Sequence, residues 1–229
     1  MTIEDLEYNK LVSYNSSFIF NNASDAFSSL YTLISENGID YAGTKAFMNC
    51  NILLLNPLDR TIDFKWRNWK PDYAEREWAW YMSANPSVEE LENYASTWKR
   101  MHGPDNYIVQ SNYGFLWNEN DQLNKCIKEL KSNPESRRAS ISLFDGKRKG
   151  QYELDTPCTF AVTFIIQDNK LNMSVQMRSN DLWYGFCNDQ YCFSKLQEYV
   201  AKKLDMPVGW YNHFDVNLHI YNDKLNKKK

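Results

Sequence analysis

Residues 160–177 read as two strands around an Asp168-Asn169 turn, with a chemically loaded residue at each end. Thr156-Pro157-Cys158-Thr159 opens this segment, and Arg178-Ser179-Asn180-Asp181 closes it. A hairpin returns its two ends to one place, so a thiol and a guanidinium are expected to share a cavity. The thiolate is the reactive form of cysteine, and a nearby cation lowers the thiol pKa. An arginine that also grips a phosphate supplies that field.

The chain has 229 residues and no Gly/Pro/Ser linker, which predicts a single domain over 1–229. Fifteen tyrosines and eight tryptophans predict a wide, ring-lined core or ligand cavity. A net charge of -3 provides no chain-wide basic field, so direct binding of nucleic acid is not expected. The run Lys227-Lys228-Lys229 reads as a solubilising tail. Five cysteines without a CxxC, and three scattered histidines, make neither a zinc site nor a disulfide framework. No metal is therefore expected. With no signal peptide and no apolar run that fits a membrane span, the expected setting is a reducing cytoplasm with Cys158 as a free thiol.

Apolar periodicity predicts helices over 23–36, 73–82, 87–100, 121–130 and 193–204. Trp78, Tyr81 and Met82 are expected to face inward from the second. Strands are predicted over 47–55, 139–144, 158–166, 171–177 and 216–221. Mixed order of this kind indicates an α/β or α+β layer structure around one sheet.

Several separated motifs occur in a consistent order. They are Glu77-Trp78-Ala79-Trp80, Asn112-Tyr113-Gly114, Asn133-Pro134-Glu135-Ser136-Arg137-Arg138, Thr156-Pro157-Cys158, the stretch 176–185, and Leu218-His219-Ile220-Tyr221. Together they resemble the thymidylate synthase family from about residue 75 to residue 221, while the N-terminal part, about 1–70, diverges. The resemblance implies a three-layer α/β fold around a mixed sheet and a homodimer through the sheet face. It also implies a pyrimidine nucleoside monophosphate substrate and 5,10-methylenetetrahydrofolate as cosubstrate.

By the same resemblance, Cys158 is the nucleophile that adds at carbon 6 of the pyrimidine. Arg178 and Ser179 hold the 5′-phosphate, joined by Arg137 and Arg138 of the other subunit. His219 and Tyr221 bond the sugar 3′-hydroxyl. Glu77 moves protons through ordered waters, and Tyr113 helps remove the carbon-5 proton. Asp181 contacts the pterin ring, and Trp80 and Trp98 pack near the folate.

Three departures bear on the substrate. The family's deoxyuridylate enzymes carry asparagine where this chain has Asp189, and a carboxyl group suits the amino group and N3 of cytosine. Thr159 follows the cysteine in place of the usual histidine. The chain runs only a little past Tyr221, with no counterpart of the synthases' closing tail, which favours hydration over hydride transfer. These features resemble the phage deoxycytidylate hydroxymethylases and imply 5-hydroxymethylation of dCMP in a host cytoplasm. Methyl transfer to dUMP or dCMP, hydroxymethylation of dUMP or CMP, and a non-catalytic nucleotide-binding module are the alternatives. An N-terminal phosphate ligand has no secure match; Lys45, Arg60 and Arg67 are the choices.

Overall fold

A computed structural model describes residues 13–152 and 154–228. Its strands are β1 (Ser16–Phe20), β2 (Ile39–Tyr41), β3 (Thr44–Leu54), β4 (Ser140–Ser142), β5 (Thr159–Gln167), β6 (Lys170–Met177), β7 (Asn180–Asp181) and β8 (Val208–Tyr221). They form one mixed eight-stranded sheet in the order β1-β3-β8-β6-β5-β4, with β2 on β3 and β7 on β8. The helices are α1 (Ala23–Asn37), α2 (Pro71–Ser83), α3 (Tyr113–Asn118), α4 (Gln122–Ser132) and α5 (Cys187–Leu204). None of the described helices is long and apolar enough to cross a membrane.

Strand alternation sorts the sheet into two faces. Ile52, His213 and Val175 stand in register on adjacent strands and are fully buried. Ile52 and Val175 belong to the apolar core that also takes Phe27 and Leu30 from α1 and Leu196 and Val200 from α5. On the alternate positions Ile19 is 66% exposed, Val216 40% and Ile165 38%, so the opposite face presents apolar side chains to solvent.

The expected hairpin is present. Asp168 and Asn169 both adopt left-handed backbone (φ 54° and 55°), the two-residue primed turn that matches strand twist. Asp and Asn tolerate that conformation because their short side chains bond locally. Gln167 pairs with Lys170 across the turn, and at the open end the Arg178 amide donates to the Cys158 carbonyl at 2.8 Å.

Several expectations need correction. Residues 87–100 are not one helix but two short 3-10 turns, Leu91–Asn93 and Ser96–Arg100. Extended pairing competes there: Val88 N–H donates to the Tyr107 carbonyl, and the Ser87 carbonyl accepts from the Trp80 indole at 2.6 Å. Helix α5 starts at Cys187, earlier than expected. Asp181 caps the preceding π-turn, Leu182–Phe186, by accepting from the Trp183 and Tyr184 amides, and the turn runs straight into the helix. Strand β8 starts at Val208, because the alternation of Tyr211, His213 and Asp215 with outward residues continues the ladder on β3 and β6. Met82 is 38% exposed rather than inward. Strand β1 and helix α3 were not anticipated from the sequence.

Candidate active site

The hairpin places its two loaded ends together. Arg178 donates through Nε to the Pro157 carbonyl (3.1 Å) and through Nη2 to the Thr156 carbonyl (2.9 Å). The same Nη2 lies 3.6 Å from Cys158 Sγ. The carbonyls spread the guanidinium's attraction, and burial dominates. The thiol pKa is pushed up to about 11 by burial; Arg178 opposes that, and Asp189, Asp155 and Asp215 add to it. The expected depressed thiol pKa is therefore corrected: burial outweighs the pull of the neighbouring guanidinium.

A cavity of about 850 Å³ has Glu77, Trp98, Asp181, Asp189 and Tyr221 on its wall; Cys158 and Arg178 are not among its lining residues, and the charge of Asp189 acts on the thiol from that wall. Helix α2 supplies Glu77 because Ala74, Glu77 and Tyr81 recur on its buried face. The Glu77 carboxylate accepts from the Tyr73 hydroxyl at 3.3 Å, and its Oε2 is buried with no partner. Burial pushes its pKa up to about 7, against the pull of the Tyr73 and Tyr81 hydroxyls. Tyr73 in turn accepts from the Trp98 indole at 2.9 Å.

Asp189 enters from the first turn of α5. Burial first, then the charge of Glu77, raises its pKa well above the carboxylate range; His213 opposes this. Asp181 is raised to about 6 by burial, against the two amides it caps and Arg67. Tyr113, on α3, is buried, and the charges of Cys158 and Asp189 both act on it. Its helix is fixed by Asn112, whose side chain accepts from the Phe115 amide at 2.7 Å. Gly114 lets α3 touch α2: a Cβ there would lie 1.7 Å from the Tyr81 carbonyl oxygen. Gly114→Ala is expected to cost about 3 kcal/mol by forcing the two helices apart. A urea melt checks the loss, and an unchanged midpoint would show that the contact yields freely.

The remaining candidates divide. His219 is buried with Nδ1 unpartnered, and its ring meets Tyr221 edge-on at 5.2 Å. Ser179 is half-buried beside Arg178. Trp80 is not on the cavity wall; it packs edge-on against Trp98 at 5.2 Å. Arg137 and Arg138 are exposed and off the cavity, with Arg138 paired to Glu129 at 2.9 Å. Among the N-terminal choices, Lys45 pairs with Asp40 and Arg60 with Glu198. Arg67 alone of the three lines the cavity, donating from Nε (2.9 Å) and Nη2 (2.6 Å) to the Trp183 carbonyl.

Four further buried residues, to which the sequence assigned no role, are Asn180, Tyr211, His213 and Asp215; the charges of His213 and Asp215 act on Asp189. Their legible signal was the alternation of Tyr211, His213 and Asp215 with their neighbours along the strand.

Ionising Glu77 in its buried place has a stability consequence. Its folded pKa, about 7, lies above the ordinary value of 4.5. Its favourable contribution is therefore complete below the ordinary value and is lost as pH rises to the folded value. Glu77→Gln is expected to be more stable than the parent by about 3 kcal/mol at pH 8 and equal to it near pH 4. Thermal melts at the two pH values check this, and a pH-independent difference would contradict it.

Residues 61–229 match the family model described as Thymidylate synthase. The deoxyuridylate hydroxymethyltransferase of Pseudomonas phage M6 is 32% identical over 179 residues, covering 76% of this chain and 51% of that protein. The deoxycytidylate 5-hydroxymethyltransferase of Enterobacteria phage T4 is 36% identical over 150 residues, covering 60% of this chain and 58% of that protein. A thymidylate synthase of Streptococcus gordonii is 29% identical over 159 residues, covering 66% of this chain and 57% of that protein. The chain spans about half the length of the curated relatives it matches. Because the family match takes in most of the chain, from α2 through the Cys158–Arg178 hairpin to β8, the chain belongs to the thymidylate synthase family.

Proposed function

We propose that the chain is a folate-dependent deoxycytidylate 5-hydroxymethyltransferase. The observation that carries this reading is the Cys158–Arg178 pair, a thiol 3.6 Å from a guanidinium, with the charge of Asp189 acting on that thiol from the cavity wall.

In this reading Cys158 Sγ adds to carbon 6 of the pyrimidine and gives up its proton as the bond forms. The electron pair then gathers at carbon 5, which becomes nucleophilic. 5,10-Methylenetetrahydrofolate, when bound, supplies a one-carbon unit at the oxidation level of formaldehyde. A ring-lined cavity with Trp98 and Asp181 on its wall and Arg67 beside them suits a flat heterocycle with an anionic tail. Tyr113 assists removal of the carbon-5 proton, and Glu77, with a pKa near neutrality, passes protons in either direction. Carbon 5 bonds to the one-carbon unit, and loss of the carbon-5 proton with departure of tetrahydrofolate as an amine leaves an exocyclic methylene on the nucleotide; water adds to that methylene, and expulsion of Cys158 as thiolate restores the ring.

Arg178 and Ser179 hold the phosphate, and His219 and Tyr221 the 3′-hydroxyl. Arg137 and Arg138 reach the phosphate of a second copy of the chain. Their exposure, and the apolar sheet face bearing Ile19, Ile165 and Val216, support a homodimer through that face. Hydroxymethylation is supported by the two phage relatives, both hydroxymethyltransferases by name. Cytosine is supported by Asp189.

A second reading has deoxyuridylate as substrate. A neutral carboxyl offers one donor and one acceptor, which also match uracil, and the Pseudomonas phage relative carries deoxyuridylate in its name. Incubation with dCMP or dUMP and methylenetetrahydrofolate, read by product mass, tests both readings. Hydroxymethyl-dCMP with tetrahydrofolate released is the expected result. A methyl product with dihydrofolate, or turnover of dUMP alone, removes the main reading. Nucleotide binding without turnover leaves a binding module.

A further inference from the structure

One buried carboxyl near the nucleophile has no task in the proposed reaction. Asp155 stands three residues before Cys158 and is 7% exposed. A carboxyl loses hydration on burial and needs hydrogen-bond donors to replace it. Asp155 Oδ2 accepts from the Ser111 amide at 2.7 Å, across 44 residues of chain. Burial raises the Asp155 pKa, against the pull of Ser111, the Gln110 amide and Arg178. The charge of Asp155 acts in turn on both Cys158 and Tyr113.

Ser111 lies two residues before Tyr113, the first residue of α3. A helix of six residues makes too few internal hydrogen bonds to hold its own place, so α3 depends on outside anchors. Toward the end of α2, the Asn112 Nδ2 donates to the Asn85 carbonyl at 2.8 Å, and Gly114 brings the backbone against Tyr81. Toward α5, the Tyr113 ring stacks on Phe193 at 5.4 Å. Toward the nucleophile, Asp155 is the anchor. Its backbone continues through Thr156 and Pro157, whose carbonyls hold Arg178, to Cys158. The bond to Ser111 therefore joins the segment that carries the thiol to the segment that carries the tyrosine.

We propose that Asp155 is a positioning residue: by holding the Ser111 amide it sets the place of Tyr113 relative to Cys158, and with it the removal of the carbon-5 proton. The inference rests on the reading of Cys158 as the nucleophile and of Tyr113 as the group that assists at carbon 5.

Single-turnover rates of the full chain with unlabelled and 5-deuterated nucleotide test it, using whichever of dCMP and dUMP the parent converts. The variants are Asp155→Ala, Asp155→Asn and Tyr113→Phe. Alanine removes the acceptor, whereas asparagine keeps an oxygen for the Ser111 amide and removes the charge. Slower removal of the carbon-5 proton exposes that step, and deuterium at carbon 5 reports it. Asp155→Ala is expected to lower the rate by about 30-fold and to enlarge the isotope effect, with calorimetric nucleotide affinity within about threefold of the parent. Asp155→Asn is expected to keep the parental isotope effect and a rate within about threefold of the parent. A slower Asp155→Ala with no larger isotope effect shows general loosening and overturns the inference. An Asp155→Asn that behaves like Asp155→Ala also overturns it, because the charge and not the bond is then what acts. If Asp155→Ala fails to fold, Asp155→Ser, whose hydroxyl is too short to reach the amide, carries the same test. Tyr113→Phe separates the two ideas. A parental rate and isotope effect in that variant, or no turnover in the parent, removes the role of Tyr113 and this inference with it. An enlarged isotope effect there, beside a parental one in Asp155→Ala, removes this inference alone.

Discussion

Replacing Cys158 with serine is expected to lower kcat by about 1,000-fold or more while nucleotide affinity changes by less than about tenfold. The sulfur already starts from an unfavourable position, since burial outweighs Arg178 and pushes its pKa up to about 11. A serine hydroxyl is a still weaker acid and a poorer nucleophile, so loss of its proton during addition to the ring is harder again. Binding survives because Arg178 is held by two backbone carbonyls, of Thr156 and Pro157, that the substitution leaves intact. Single-turnover kinetics and calorimetry on the same preparation check the two halves separately. Turnover near the parental rate would mean that Cys158 is not the nucleophile.

The second large effect is a change of substrate. Asp189→Asn is expected to shift the preference from dCMP toward dUMP by about 100-fold in kcat/KM. In the orientation that donates to uracil O4 and accepts from uracil N3–H, the amide sets a donor against the amino group of cytosine. Each buried polar group left unpaired costs about 1–3 kcal/mol, so two such groups suffice for a change of that size. The effect is enlarged by the setting: Asp189 sits in a half-buried wall beside Glu77, where water cannot freely replace a lost partner. Competition between the two nucleotides in one reaction, read by product mass, measures the shift. An unchanged preference removes Asp189 as the group that meets the base.

The elements legible in the amino-acid order are those whose cause is local. The β5–β6 hairpin was legible because Asp168-Asn169 encodes its own turn, and the meeting of Cys158 with Arg178 follows from hairpin geometry. Helix α2 was legible from its apolar spacing, and so was α4. Residues 87–100 misled because Val88, Leu91 and Trp98 suit a helix, while the segment's hydrogen bonds go to Tyr107 and Trp80. Trp80 was placed near the folate by motif order; in the fold it meets edge-on, at 5.2 Å, the Trp98 that lines the cavity.

Residue order alone set the chemistry on offer: a thiol and a guanidinium at the two ends of one hairpin, and a carboxyl where the family's deoxyuridylate enzymes carry an amide. The folded chain set the state of those groups. Desolvation, which depends on every element packed around a side chain, outweighed Arg178 at Cys158, raised Glu77 to near neutrality, and came with the burial of His213 and Asp215, whose charges act on Asp189. Burial of that kind is a sum over neighbours distant in the chain, so it exists only once α2, α5, β7 and β8 have come together.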